Sequence, residues 1–515
     1  MARTRTAAAT LLLALLALAP AVTFLWPHLP PLFEDEILPL TPLVPLLKQP
    51  NAYGGAFLSN AHVNVLGYPV LLVSYVIEGP LKALPYAVAL PLTRAAYRPE
   101  SLIAAYRASN ILWTWALFAT VLATCRSVAG WRAALLCLAL LIPDHSLVYL
   151  GLTDLARPLH LIFGLALLAL LCRHADAPRA RHTLAIGLVA FLGIWNRADF
   201  VWFMAAGLGG CIVADVLLRR RATPAVLAGY AIGLALTYAV VPQYLEAAGG
   251  GHRIAFTDLP RLSAHLRDLS FLMDPWGAYR RHLDVGPHLM DGAYVAYRRA
   301  YIGACAVVAA ALGIAGLRAR RPAYVVLALF PAILLAAVVD TAESYEVHHV
   351  TVVKPALYVA ASVLAAHLAG RRRAPVLLAW SAVAVAALWV HVRAFADVTA
   401  AAPARGIYGV TWNMSEAWQA ATRSDAKLIV GVDFGVWVPG ILSSPPDQRW
   451  ESTGFPDEAA LAQQMAGQRL VGFVVRADGP NAWILETDRY RVVERRAFDT
   501  HPGDPWAFML LAGPS

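Results

Sequence analysis

The chain has 515 residues, of which 59% are hydrophobic and only 15% charged. A soluble globular chain carries about 25% charged residues, and this apolar excess does not fit inside one aqueous core. A soluble enzyme, a disordered chain and a nucleic-acid binder are therefore poor readings, although the net charge is +9.

A membrane helix needs about 20 mostly apolar residues. In chain order the qualifying or near-qualifying stretches are Ala7–Trp26, Ser101–Thr124, Trp131–Leu150, Leu159–Cys172, Thr183–Trp195, Phe200–Leu218, Ala225–Leu245, Tyr301–Leu317, Ala323–Val339, Val350–Leu368 and Pro375–Val392. The reading is thus a polytopic α-helical membrane protein with about 11 spans. Basic clusters test it: Arg3 and Arg5, Arg126 and Arg132, Arg173 to Arg181, Arg219–Arg221, Arg318–Arg321 and Arg371–Arg373 all fall on one side if every span is real. By the positive-inside rule that side is the cytoplasm. The first span also resembles a signal peptide, with Ala19-Pro20-Ala21 near its end; a retained helix is the preferred expectation. The five cysteines lie in or beside apolar runs and show neither disulfide nor zinc spacing.

The long and polar segments face outward on this topology, so the chemistry is expected there. Glu34, Asp35 and Glu36 follow the first span. Adjacent carboxylates repel one another and are costly near lipid without a cation or donor; they are either a solvated loop or a general base, with or without a metal ion. Val65–Leu90 is apolar but broken by Gly67, Pro69, Gly79, Pro80 and Pro85. It is read as short helices at the outer interface, with Lys82 either snorkelling or meeting an anionic headgroup.

Asp154 lies in the next outer loop, near Arg157 and His160; it is a helix cap or a second carboxylate of an acidic site. Arg197 and Asp199 sit at a further outer turn, where they can pair. Glu246–Arg299 is a long amphipathic segment rich in Arg, including Arg280, and in aromatics, suited to lipid headgroups. Arginine there can fork onto phosphate. Glu343, Glu346, His348, His349 and Lys354 gather at the last outer turn, where paired His can bind a metal or donate to a leaving phosphate.

Composition changes after about Ala404. Lys427–Phe434, Arg469–Arg476, Tyr490–Phe498 and Trp506–Ala512 read as strands, and Ser415–Ser424 and Pro456–Gly467 as helices. The expected division is a membrane domain over 1–403 and a small extracytoplasmic α/β domain over 404–515.

These features together resemble the GT-C membrane glycosyltransferases, specifically bacterial relatives of the protein O-mannosyltransferases and the aminoarabinose transferase. Asp35-Glu36 stands where that family carries an acidic pair. Ser74-Tyr75 with Gly79-Pro80-Leu81-Lys82 is similar to a Tyr…Gly-x-x-Lys segment. Gly193 to Trp202 is similar to a Trp-x-Lys/Arg-x-x-Phe helix start. His348-His349 with Pro355 and Asp433-Phe434-Gly435 resemble later family motifs.

The resemblance implies a bacterial plasma-membrane enzyme that moves a sugar from a polyprenyl-phosphate donor to an extracytoplasmic acceptor, with inversion. On that footing Asp35, Glu36 and Asp154 are the expected catalytic groups. Lys82, Arg197, Arg280 and His349 are the expected donor-phosphate ligands. Asp35, Asp154 and His348 are the expected ligands if a divalent cation takes part. Membrane lipids are partners and nucleic acid is not. The rival classes are a lipid-linked glycan transporter or flippase, and a non-catalytic envelope assembly protein; no inverted repeat supports the former.

Overall fold

The computed structural model describes residues 2–25, 37–48, 62–65, 68–71, 79–92, 99–154, 157–240, 292–341, 352–370, 373–401, 412–432, 435–453, 455, 457–500 and 505–513. The chain forms two compact units, Met1–Leu29 with Arg107–Val398, and Pro30–Tyr106 with Thr399–Ser515.

The first unit is helical. Its helices are α1 (Ala2–Leu25), α2 (Pro99–Ala129, from Arg107 on), α3 (Trp131–Leu141), α4 (His145–Leu152), α5 (Pro158–Asp176), α6 (Ala180–Asn196), α7 (Val201–Leu218), α8 (Thr223–Val240), α9 (Gly292–Ala319), α10 (Pro322–Thr341), α11 (Lys354–Ala369) and α12 (Arg373–Ala401). Among the described residues, five helices are long and apolar enough to cross a membrane: Thr4–Thr23, Ala105–Ala129, Pro158–Asp176, Ala198–Leu218 and Thr223–Val240. That is fewer than the eleven expected. The stretch Trp131–Leu150 falls short because it is two helices, α3 with 11 residues and α4 with 8, separated at Ile142–Asp144.

Apolar solvent gives helices no hydrophobic reason to associate, so close packing must do the work. The pair α6 and α8 shows how. Gly229 and Gly233, one turn apart, let the two backbones touch: a Cβ on Gly233 would lie 2.8 Å from both the Gly187 carbonyl oxygen and the Ala190 methyl. Polar groups satisfy each other in the same unit. Arg126 on α2 donates to Thr10 Oγ1 at 2.9 Å and to the Thr6 carbonyl at 3.2 Å on α1.

At the arginine-rich ends, acidic residues cap helices other than their own. Asp176, ending α5, accepts from the Ala323 N–H of α10 at 3.0 Å and pairs with Arg321 at 3.3 Å. Asp215 accepts from the Ala222 and Thr223 N–H groups that open α8, at 2.9 and 2.7 Å. These N-termini carry partial positive charge, which the carboxylates offset. Cys125, Cys137, Cys172 and Cys211 are buried free thiols.

The second unit joins Pro30–Tyr106 to the C-terminal residues Thr399–Ser515. A 3-10 turn at Leu38–Leu43 runs into a short helix at Val44–Leu47. Strands β1 (His62–Val65) and β2 (Tyr68–Leu71) pair antiparallel, with Val65 opposite Tyr68. The sequence reading expected only short helices over Val65–Leu90. A hairpin instead begins that stretch, and the helix starts at Leu84 and runs to Leu92. Only two residues separate the paired ends, which is the commonest hairpin loop, and this short-range signal outweighs the broken apolar pattern.

A five-stranded mixed sheet follows, in the order β4-β3-β5-β7-β6. Its strands are β3 (Leu428–Gly431), β4 (Arg449–Ser452), β5 (Leu470–Arg476), β6 (Arg491–Phe498) and β7 (Trp506–Ala512). The central three are buried on both faces, and so read as continuous apolar runs. Helices lie at Trp412–Thr422, Trp437–Ser443 and Glu458–Met465. The edge strand β6 is largely exposed, carries Arg491, Arg495 and Arg496, and is irregular between Val492 and Glu494.

Two measurements test this packing. Gly233→Leu should destabilise the chain by about 1–3 kcal/mol through overpacking, seen as a lower melting temperature in detergent; an unchanged melt would mean α6 and α8 do not rely on that contact. The second concerns Lys48, which is 5% exposed. Burial pulls its pKa from the ordinary 10.5 to about 7, with the Asp447 carboxylate opposing. Between those values the unfolded chain holds a proton that the folded unit has released, so folding of this unit gains stability as pH rises from about 7 toward 10.5. Lys48→Gln should flatten that slope in amide-exchange measurements.

Candidate functional site

Ionisable groups buried in an apolar unit are costly and must find partners, so they mark the places where chemistry concentrates. Among its described residues, the first unit holds two clusters of buried, paired charges, both at helix ends opposite the arginine-rich turns.

The first cluster centres on Asp144, which has no exposed surface. It caps α4, accepting from the Leu147 N–H at 3.0 Å. Lys354, the first residue of α11, reaches both carboxylate oxygens at 3.1 and 2.9 Å. Tyr358, one turn on, donates to the same carboxylate at 2.6 Å. Three donors from two distant segments therefore hold one charge. The cap also explains why α3 and α4 are separate helices: Pro143 cannot supply an N–H, and Asp144 restarts the helix. By sequence, Asp144 falls inside the apolar stretch Trp131–Leu150. A lone carboxylate within an apolar run was the signal available.

The second cluster is built from the turn before α5 and the turn between α6 and α7. Asp154 is 1% exposed, and its carboxylate lies 3.4 Å from Arg157. Both residues have positive φ, 59° and 47°. A non-glycine residue in that region costs about 1–3 kcal/mol and persists only where its surroundings over-determine it.

Across from this turn, Arg197 grips Asp199 through Nε at 3.0 Å and Nη2 at 2.9 Å. His160 Nε2, on the first turn of α5, lies 3.4 Å from the same carboxylate. Arg157, Arg197 and Asp199 are the charged groups around its ring. The rings of Phe200 and Phe203 close edge-on over His160, at 5.6 and 5.0 Å between centroids. His160 Nδ1 is buried with no hydrogen-bond partner among the described residues. Gly193 makes this turn possible, because a Cβ there would lie 2.4 Å from the Phe200 ring. Two carboxylates and two guanidiniums balance, so the cluster is self-neutralising while His160 is neutral.

Of the expected site residues, Asp154 and Arg197 thus belong to one cluster, joined through Arg157 and His160. Lys82 lies in the second unit, 4% exposed, with Nζ 4.8 Å above the Tyr106 ring. That is cation–π distance. Asp35, Glu36, Arg280, His348 and His349 lie outside the described residues. So do Ser74, Tyr75, Asp433 and Phe434; Gly435 is described, at φ 103°.

Of the three expected metal ligands, only Asp154 lies among the described residues. No group of three or more His, Cys, Asp or Glu side chains among them could hold an ion. Asp154 has a guanidinium beside it, a poor setting for a cation ligand.

No family model matches the chain. No curated protein matches it. Among solved structures it is similar to the crystal structure of ArnT from Cupriavidus metallidurans in the apo state, at 15% identity and a TM-score of 0.49, over 86% of this chain and 91% of that one. A likeness at that level carries no activity across.

The Asp144 cluster yields a direct test. Asp144→Ala leaves the Lys354 ammonium buried without its carboxylate and should cost about 3–5 kcal/mol. Combining Asp144→Leu with Lys354→Met should recover most of that loss. Equal melting temperatures for the native chain and Asp144→Ala would mean the pair contributes nothing.

Proposed function

We propose that the chain is an integral-membrane glycosyltransferase of the GT-C type, which moves a sugar from a polyprenyl-phosphate donor to an acceptor on the non-cytoplasmic side. The observation that carries this reading is the second cluster. Buried charges of both signs, from two separate turns, meet at helix ends opposite the basic turns. A lipid-anchored phosphate needs cations at the membrane boundary, and an acceptor hydroxyl needs a base there. The order of the sequence motifs supports the same class. The full reading has about eleven spans, with the C-terminal α/β domain outside a bacterial plasma membrane.

Nucleotide sugars are made in the cytoplasm, so chemistry on the far side calls for a donor that crosses the bilayer. In the proposed reaction Asp35 takes the proton of the acceptor hydroxyl as its oxygen bonds to the anomeric carbon. The bond from that carbon to the phosphate oxygen breaks, and the polyprenyl phosphate leaves with the electron pair. One displacement inverts the anomeric centre. Glu36 and Asp154 orient the acceptor. Lys82, Arg197, Arg280 and His349 offset the charge that develops on the leaving phosphate. Arg197 does so while shared with Asp199, so its charge is already oriented before the donor arrives. If a divalent cation takes part, Asp35, Asp154 and His348 would hold it.

The test is transfer of labelled sugar from isolated polyprenyl-phosphate donors by the purified chain in vesicles. Asp35→Asn should abolish transfer while expression and melting temperature stay unchanged; retained transfer would remove Asp35 from the mechanism. Label that crosses the bilayer still attached to its lipid would favour the transporter reading. Neither transfer nor crossing would favour an assembly protein.

A further inference from the structure

Lys48 is a buried lysine that the proposed reaction does not use. Its Nζ donates to the Ser444 carbonyl at 3.0 Å, the Pro445 carbonyl at 2.7 Å and the Gln448 carbonyl at 3.2 Å, and also contacts Ser444 Oγ. These acceptors lie 396 to 400 residues away in sequence. They belong to the loop between the helix Trp437–Ser443 and strand β4. That loop is itself fixed. Gln448 is 2% exposed, donates to the Ala426 carbonyl at 3.0 Å, and accepts from Trp450 Nε1 at 3.1 Å.

The segment that Lys48 closes begins at Ile37, the residue after Glu36. Ile37, Leu40, Leu43 and Val44 have no exposed surface. Apolar burial alone is tolerant of small slips, since it is non-directional. Hydrogen bonds to the three loop carbonyls are not. An apolar side chain of similar length would fill the space but leave these carbonyls without their donor, so the lysine sets the register and holds the segment closed. Either protonation state keeps at least two N–H donors for the loop.

We propose that Lys48 is a positioning residue, which sets the register of Ile37–Lys48 on the C-terminal domain and thereby fixes the chain at the downstream end of the acidic triplet Glu34-Asp35-Glu36. This rests on the transferase reading, in which that triplet supplies the base. The soluble domain then takes part in catalysis without contributing a reacting group.

The full-length chain in lipid nanodiscs provides the test, with Lys48→Met, Ser444→Ala and the double variant. Lys48→Met keeps the stem and removes the donors; Ser444→Ala removes one acceptor and is the gentler change. Amide exchange over 37–47 should speed up about tenfold in Lys48→Met, as local opening becomes easier. The turnover number for transfer from a polyprenyl-phosphate donor should fall about 10- to 100-fold, the cost of a small misplacement, with the donor KM held within about twofold. Ser444→Ala should show a smaller form of both effects, and the double variant should be no worse than Lys48→Met, because the two residues act through one contact.

Faster exchange with unchanged turnover would make Lys48 structural only and overturn the proposal. Unchanged exchange would remove the tether itself. A native chain that transfers sugar from no polyprenyl-phosphate donor would defeat the transferase reading and the positioning role with it, while the exchange measurement still decides whether the tether exists.

Discussion

A carboxylate sealed inside an apolar unit has to be neutralised by whatever the chain can bring to it, and Asp144 shows how much structure that demands. Lys354, Tyr358 and the Leu147 N–H all converge on it. Meeting that need breaks one apolar stretch into two helices and fixes where α11 begins. The same constraint organises the neighbouring cluster. Arg157 turns back on Asp154, while Arg197 and His160 share Asp199. Each charge in these clusters is answered locally, so the unit can carry ionisable groups at its helix ends without opening itself to water.

At the opposite ends the logic differs. Asp176 and Asp215 do not answer buried cations; they terminate one helix and start another. The turns there are short and rich in arginine, and their acidic residues serve chain reversal. Among the described residues, the ion pairs buried on both sides, Lys354 with Asp144 and Arg157 with Asp154, lie at the other ends. This asymmetry is why the proposed chemistry is assigned to one side.

Much of the architecture was legible because it follows from local patterns. The four expected strands of the C-terminal domain correspond to β3, β5, β6 and β7; the three buried ones announce themselves as short apolar runs, while β6 is exposed and does not. Strand β4 was missed: four residues, two of them charged, give no such run. The helix Trp437–Ser443 was missed because it is too short to show a period. At the candidate site, Asp154 and Arg197 stood out as charges near apolar stretches. Asp144 did not, because hydropathy averaged over a span hides a single carboxylate. The meeting of Lys48 with Ser444 had no local signal at all, since nothing near either residue specifies a partner some 400 positions away.

The outermost strand of the sheet has a consequence for how copies of this protein coexist. Confinement to a bilayer would bring neighbours together in two dimensions, where an unpaired strand edge is most apt to recruit another. Here β6 is kinked between Val492 and Glu494 and studded with arginines, so it offers a crooked, like-charged border. Crowding would then leave the domains side by side instead of stitched into a shared sheet.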